Sequence, residues 1–245
     1  MRFGHRWMTL ACLMLAAGSA QATPVAYDFA TGPWSSLTGQ IQGPAGIDVQ
    51  NSLKDAVNGL SMSGSFMYDS DAPLSGISNG PVLNQSTYLD AVSNLNGSDG
   101  TFGFTGSTAS ASVANDGYPL GGPVHPLNYV DYLQLGGPAS GTGTLAGLAL
   151  TYAQFFWFEV DSHAPGATDF LTSSDLPATL PTFNSQLILS FSSIDATGHT
   201  VPAPAAFAIF YGVKVTPTPV PEPGTLALAA LGMAVAIVMR RRRAA

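Results

Sequence analysis

The chain has 245 residues, only 9% of them charged, with 27 Gly and 18 Pro, a length for one sizeable domain and a composition wrong for a helical bundle or coiled coil. Six of the eight Lys and Arg sit at the two ends (Arg2, Arg6 and Arg240 to Arg243), so residues 23–216 set Lys54 and Lys214 against fourteen carboxylates. Such a surface cannot neutralise a phosphate backbone, which excludes nucleic-acid binding, and the single cysteine, Cys12, excludes a disulfide framework or a thiolate metal site in the body.

Arg2, His5 and Arg6 form a basic start, Met8 to Ala17 is an apolar run, and Ala20-Gln21-Ala22 offers small residues where a signal peptidase reads. These parts in this order predict a secretory signal over residues 1–22, with Ala20 and Ala22 setting the cleavage site. Ten apolar residues rise only about 15 Å as a helix, too little for a membrane anchor.

The body, residues 23–216, is dominated by period two. Leu60, Met62, Gly64, Phe66 and Tyr68 alternate with Ser61, Ser63, Ser65 and Met67, the pattern of a strand with one buried and one solvated face. Phe207, Ile209, Tyr211, Val213 and Val215 repeat it, as do Leu187, Leu189 and Phe191. Leu148, Leu150, Tyr152, Gln154, Phe156, Phe158 and Val160 form one face of a further strand, and Phe155 and Trp157 make its other face apolar too, which predicts a central strand covered on both sides. Weaker strands are expected at Val25 to Phe29, Thr101 to Phe104, Ala109 to Val113 and Tyr129 to Leu135, between Gly, Pro, Asn and Asp clusters. Helix is scarce: Ser52 to Val57 could form a turn or two. Tyr88, Val92 and Leu95 have helical spacing after Ser86 as a cap, yet the same stretch also reads as an irregular strand. The expected fold is all-β, a two-sheet antiparallel sandwich with the jelly roll as one form of it.

Candidates for chemistry are few. Gly76-Ile77-Ser78-Asn79-Gly80 matches the nucleophile-elbow pattern, but Pro81 and short polar runs leave no helix to follow, so it reads as a turn. His125, His163 and His199 lie beside loop prolines or glycines without the spacing of a zinc site or a triad. Asp69-Ser70-Asp71 at a strand end is the best cluster for a hard cation, making Asp69 and Asp71 the calcium candidates. Glu159 and Asp161 share a strand face, and a glycoside-hydrolase pair could be drawn from these four acids. Solvated charge is the simpler reading of all four, and no metal, cofactor or enzymatic activity is expected. Asn84-Gln85-Ser86 and Asn96-Gly97-Ser98 fit the glycosylation pattern and read as turn residues.

Pro217, Pro219, Pro221 and Pro223 then alternate, which fixes φ at every second residue and removes amide donors, so residues 217–223 are expected to form an extended tether outside the sheet. Residues 224–245 hold an uncharged stretch, Thr225 to Met239, and then Arg240, Arg241, Arg242 and Arg243. The stretch spans about 22 Å as a helix, thin for a permanent transmembrane helix, and the arginines act as a membrane stop on the cytoplasmic side. Leu176-Pro177-Ala178-Thr179 resembles the start of a Gram-positive sortase signal, but Leu180 stands where Gly is needed, and it reads as a loop between strands.

Pro221-Glu222-Pro223, the short apolar helix and the terminal Arg cluster resemble the PEP-CTERM sorting signal of Gram-negative bacteria that make extracellular polysaccharide. The resemblance covers about the last 26 residues. It implies that Pro221, Glu222 and Pro223 are recognised by an exosortase, a membrane-embedded transpeptidase-like enzyme that cuts near the motif and delivers the body to the surface or matrix. The partners it implies are signal peptidase, exosortase, the inner membrane before processing, and extracellular polysaccharide. Gly64-Ser65-Phe66-Met67-Tyr68-Asp69, Val113-Ala114-Asn115-Asp116, and Leu176-Pro177 ahead of Phe183 and Leu187 to Phe191 resemble a β-domain often found ahead of such tails, which implies a fold and no activity. The reading of the whole is an exported, non-enzymatic structural or binding β-domain. The alternative is a carbohydrate-binding module or polysaccharide-active enzyme using the aromatics of Tyr152 to Phe158, favoured if Trp34, Trp157 and two carboxylates line one groove.

Overall fold

A computed structural model describes residues 24–79, 84–117, 129–161, 171–182 and 185–218. Among these described residues thirteen strands hydrogen-bond antiparallel into a single sheet: β1 Val25–Ala30, β2 Gly39–Gln42, β3 Ser63–Tyr68, β4 Leu74–Asn79, β5 Asn84–Ser98, β6 Gly103–Gly106, β7 Thr108–Gly117, β8 Tyr129–Gly141, β9 Thr144–Leu145, β10 Leu148–Asp161, β11 Ser185–Ile194, β12 Thr200–Tyr211 and β13 Lys214–Thr218. Across the sheet the order is β13-β1-β3-β5-β6-β8-β10-β11-β12-β2, with β4 beside β5, β7 between β5 and β8, and β9 beside β10. The all-β expectation holds in the form of this one large antiparallel sheet.

The sheet bends back on itself around aromatic side chains. Phe155 of β10 lies 4.9 Å from Phe29 of β1 and 4.8 Å from Phe66 of β3, ring centre to ring centre, and Tyr27 stacks on Phe66 at 5.7 Å. None of these strands pairs with β10, so the contacts join two layers of the same sheet. Full burial of each aromatic ring contributes roughly 1.5–3 kcal/mol, and aromatic pairs prefer such tilted or offset arrangements.

One helix stands among the described residues, α1 Ile47–Val57, a turn longer at its N-terminal end than the sequence suggested. Leu53 and Val57 turn inward and are fully buried. Asp48 in the first turn and Lys54 in the last complement the helix dipole. Gln50 Nε2 donates to Gly43 O and Ala45 O, at 3.0 and 2.8 Å, which fixes the helix against the end of β2.

Bulges decide which residues face inward. β5 is the irregular strand, not the helix: its register shifts against both β3 and β7, and Asp90 and Asn94 take φ of 57° and 54°, a left-handed conformation that Asp and Asn tolerate. The extra residues bring Tyr88, Val92 and Leu95 to the buried face although they are four and three apart, which is why their spacing imitates a helix. In β10 the register shifts between Leu150 and Tyr152. Leu148 and Leu150 point inward before the shift, and Ala153, Phe155 and Trp157 after it. The expected apolar face from Leu148 to Val160 is thus split, and Tyr152, Gln154, Phe156 and Phe158 stand half-exposed on the outer side. The strand is central in the sheet but not covered on both faces.

A similar correction applies to Phe207 to Val215. Gly212, at φ 66°, turns the chain between β12 and β13. Within β12 the fully inward residues are Ala206, Ala208 and Phe210, and the larger Phe207 and Tyr211 lie on the more exposed side. The weaker strands expected at Val25, Thr101, Ala109 and Tyr129 correspond to β1, β6, β7 and β8.

β13 runs two residues into the stretch expected to be a free tether. Pro217 opposes Tyr27, and Thr218 opposes Ala26, its Oγ1 donating to Asp28 Oδ2 at 2.6 Å. Proline is tolerated there because β13 lies at the edge of the sheet and need not donate on both sides.

Candidate functional site

The residues expected to direct sorting and processing, Ala20, Ala22, Pro221, Glu222, Pro223 and Arg240 to Arg243, lie outside the described residues, as does the stretch Thr225 to Met239. Among the described residues no helix is long and apolar enough to cross a membrane. What the fold does define is where the two ends of the body leave it. Ala26 near the start of β1 pairs with Thr218 at the end of β13, so the segment before β1 and the segment after β13 depart from one end of the sheet, side by side.

Several of the acids accept hydrogen bonds within their own turns. Asp71 N donates to Asp69 Oδ1 at 2.9 Å, closing an Asx turn at the end of β3. Asp99 Oδ1 accepts from Thr101 N and Phe102 N, and Asp195 Oδ1 accepts from Thr197 N and His199 N. Burial pushes the Asp99 carboxyl up, but the hydrogen bonds from Phe102 and Thr101 outweigh it and hold it below its ordinary value. Asp195 is held low first by the Thr197 hydroxyl and then by the backbone donors of His199 and Thr197. His199 is exposed in the turn between β11 and β12, its Nδ1 2.9 Å from Thr197 Oγ1. His125 and His163 lie outside the described residues. Among the described residues no three metal-ligating side chains converge.

The fold brings together one pair of acids that sequence reasoning missed. Asp131 of β8 opposes Glu159 of β10, both on the inward side, and Asp131 is 1% exposed. Asp131 Oδ2 accepts from Leu171 N at 3.3 Å. The signal was present: Asp131, Leu133 and Leu135 alternate on one face, so Asp131 shares the buried side. Asp161 ends the same strand.

Three tyrosine hydroxyls hold the loop that follows, residues 171–182. Tyr88 donates to Ser174 O at 2.9 Å, Tyr68 donates to Pro177 O at 2.7 Å, and Tyr27 accepts from Leu180 N at 3.2 Å. Burial, with Tyr27 and Asp69 adding, pushes the Tyr68 hydroxyl well above its ordinary value, so it remains a donor across the physiological range. Leu176-Pro177-Ala178-Thr179 is part of this pinned loop between β10 and β11.

Gly76 to Asn79 form the strand β4, paired with Thr87 to Asn84, rather than a turn. The extended pairing also removes the sharp strand-to-helix bend that exposes a nucleophile. Asn84-Gln85-Ser86 and Asn96-Gly97-Ser98 lie within β5, not in turns. Trp34 and Trp157 are 2% and 0% exposed, and Trp34 Nε1 donates to Ile209 O at 3.0 Å. Both belong to the core, and although Trp34 borders a cleft of about 260 Å³ with Gln50, Asn51 and Lys54, neither Trp157 nor any carboxylate lines it. A cleft of about 750 Å³ is lined by Thr105, Ser107, Ser140, Thr151 and Thr200 among others, and one of about 480 Å³ shares Thr105 with it. Neither cleft is lined by a titratable side chain, so they offer hydrogen bonds without an acid or base.

The open aromatic surface lies instead on the outer side of β8 and β10. Tyr132 packs against Phe156 at 5.7 Å and Phe156 against Phe158 at 5.9 Å. Gln134 Nε2 donates to Gln154 Oε1 beside them, and Tyr132 donates to Gln85 Oε1.

No curated protein and no solved structure matches the chain. A protein-family model described as the PEP-CTERM protein-sorting motif matches residues 219–243, a range that begins one residue after the last paired residue of β13 and includes Pro221, Glu222, Pro223 and Arg240 to Arg243. The chain therefore carries a PEP-CTERM sorting motif directly behind β13 and is a PEP-CTERM motif-containing protein.

Proposed function

We propose that the protein is exported across the inner membrane of a Gram-negative bacterium, held there by its C-terminal segment, and processed by an exosortase that delivers residues 23–218 to the cell surface or matrix as a non-enzymatic structural or binding β-domain. The observation that carries this reading is the sorting motif itself and its position: it begins at residue 219, immediately after the residues of the β-body that pair β13 with β1. An enzyme acting at the motif would cut C-terminal to the residues that pair β13 with β1, leaving that pairing within the delivered body. The adjacent departure of the segments flanking β1 and β13 supports an orientation in which this end of the sheet faces the membrane. Clefts lined by hydroxyl and amide groups suit binding better than catalysis. Replacing Pro221-Glu222-Pro223 with alanines keeps the apolar stretch and the arginines. In a host with an exosortase this variant is expected to accumulate as a membrane-bound precursor while the unaltered chain loses its tail. Identical processing of both would overturn the reading.

A second reading, a carbohydrate-binding domain within an extracellular polysaccharide matrix, is favoured by the half-exposed Tyr132, Phe156 and Phe158. Rings presented beside the amides of Gln134 and Gln154 could stack on sugar faces while the amides bond to hydroxyls. Cosedimentation of the surface protein with host polysaccharide, lost in Phe156→Ala/Phe158→Ala, would establish it. Equal cosedimentation of the double variant would dismiss this surface.

A further inference from the structure

Two outer strands of the sheet are built differently. β13 presents Lys214 and Pro217 on exposed positions, a charge and a missing donor of the kind that discourage another strand from adding. β4 has neither. Its partner among the described residues is β5 alone, and Leu74 to Ser78 are all exposed. No charged residue occurs between Asp71 and Asp90, and Gly76 has open space where a Cβ would stand.

A bulge sets the face of this strand. Leu74 opposes Tyr88, Gly76 opposes Thr87 and Ile77 opposes Ser86, so Ser75 is the extra residue and Leu74 and Ile77 share the side of Tyr88 and Ser86. Tyr88 and Ser86 are buried, and loop 171–182 holds Tyr88. Leu74 and Ile77 remain 51% and 59% exposed. The inner face thus continues past its cover onto an edge whose backbone donors and acceptors are open on one side.

We propose that β4 is a self-association edge, onto which a second copy of this chain adds its own β4 antiparallel across a two-fold axis. An open strand edge is recognised by another extended strand, because only that satisfies its row of N–H and C=O groups. A second copy fits on charge. The body sets two lysines against fourteen carboxylates, so copies repel wherever their charged surfaces meet, while β4 brings together only uncharged residues. The two-fold then sets Leu74 and Ile77 of each copy beside those of the other, covering apolar surface that the loop leaves open.

The chain supplies its own test, since Cys12 is the sole thiol. In the full chain carrying Cys12→Ser, expressed and exported in its host, single cysteines are placed on β4 (Ser75→Cys, Gly76→Cys, Ser78→Cys) and, for comparison, on exposed Thr216 of β13. Mild oxidation is expected to give a disulfide-linked dimer of this chain from a β4 cysteine, strongest at the position nearest the two-fold, with little from Thr216→Cys. Adding Ile77→Lys, which sets two ammonium groups against each other, is expected to abolish that crosslink while the far-UV circular dichroism of the purified chain is unchanged. The proposal is overturned if no β4 position crosslinks above Thr216→Cys, if the crosslinked product contains a different protein, or if the dimer persists unchanged with Ile77→Lys.

Discussion

The two faces of β10 are made of similar residues and meet different fates. On one side Ala153, Phe155 and Trp157 are fully buried. On the other Tyr152, Gln154, Phe156 and Phe158 stay partly open. Hydrophobicity does not separate them. What does is the layer opposite: Phe155 meets Phe29 and Phe66 from the folded-over end of the sheet, whereas among the described residues the rings packed on Phe156 are Tyr132 and Phe158 of its own face. The same aromatic chemistry serves as core on one side and as a presented surface on the other.

The largest expected effect breaks that contrast directly. Phe155→Ala removes the ring that links the layers and should destabilise the body by roughly 3–5 kcal/mol, enough to threaten folding of a marginally stable domain. Phe156→Ala, one residue along, should cost about 1 kcal/mol or less. Chemical denaturation of the two variants measures both. Comparable losses would mean that the outer face is covered in solution.

How much of this was legible beforehand follows from the same strand. Alternation located β1, β3, β7, β8, β10, β11 and β12, because period two is a local property. It could not place the bulges of β10 at Thr151 or of β5 near Asp90, since a bulge is defined by the partner strand and not by the strand itself. Downstream of each bulge the inward set switches, and the expected face is then wrong even where the strand is right. The burial of Asp131 could be read from its alternation with Leu133 and Leu135, but its pairing with Glu159 was hidden for a related reason: register between β8 and β10 is a long-range fact. The sorting motif, in contrast, was readable from residues 221–243 alone, because its parts are contiguous and its chemistry needs no partner strand.

A smaller effect sharpens the comparison between layers at the loop. Tyr68→Phe deletes the hydrogen bond to Pro177 O and leaves the ring in place, so it should cost about 1 kcal/mol. Amide exchange should quicken across residues 171–182 while β10 and β11 keep their protection. An unchanged loop would show that packing of Leu171 and Leu180 suffices to hold it.

The smallest effect belongs to the turns. The carboxyls of Asp99 and Asp195 are held low in the folded protein, so the stability they contribute is present above their unfolded value of about 4 and is lost as pH falls through the lower folded value. The melting temperature should decline on acidification below about pH 4, and Asp99→Asn with Asp195→Asn should flatten that decline. Asp195 is exposed and Asp99 only partly buried, so solvent screening keeps the effect modest. An undiminished slope in the double variant would assign acid sensitivity to other carboxylates.

The central claim, that a folded β-body is followed from residue 219 by a sorting motif that a processing enzyme cuts, is tested most directly by the intact mass of the protein recovered from the surface or medium of an exosortase-encoding host. The account predicts a chain that begins at Thr23, retains β13 through Thr218, and lacks Thr225 to Ala245. A recovered chain that still carries Arg240 to Arg243 would contradict it.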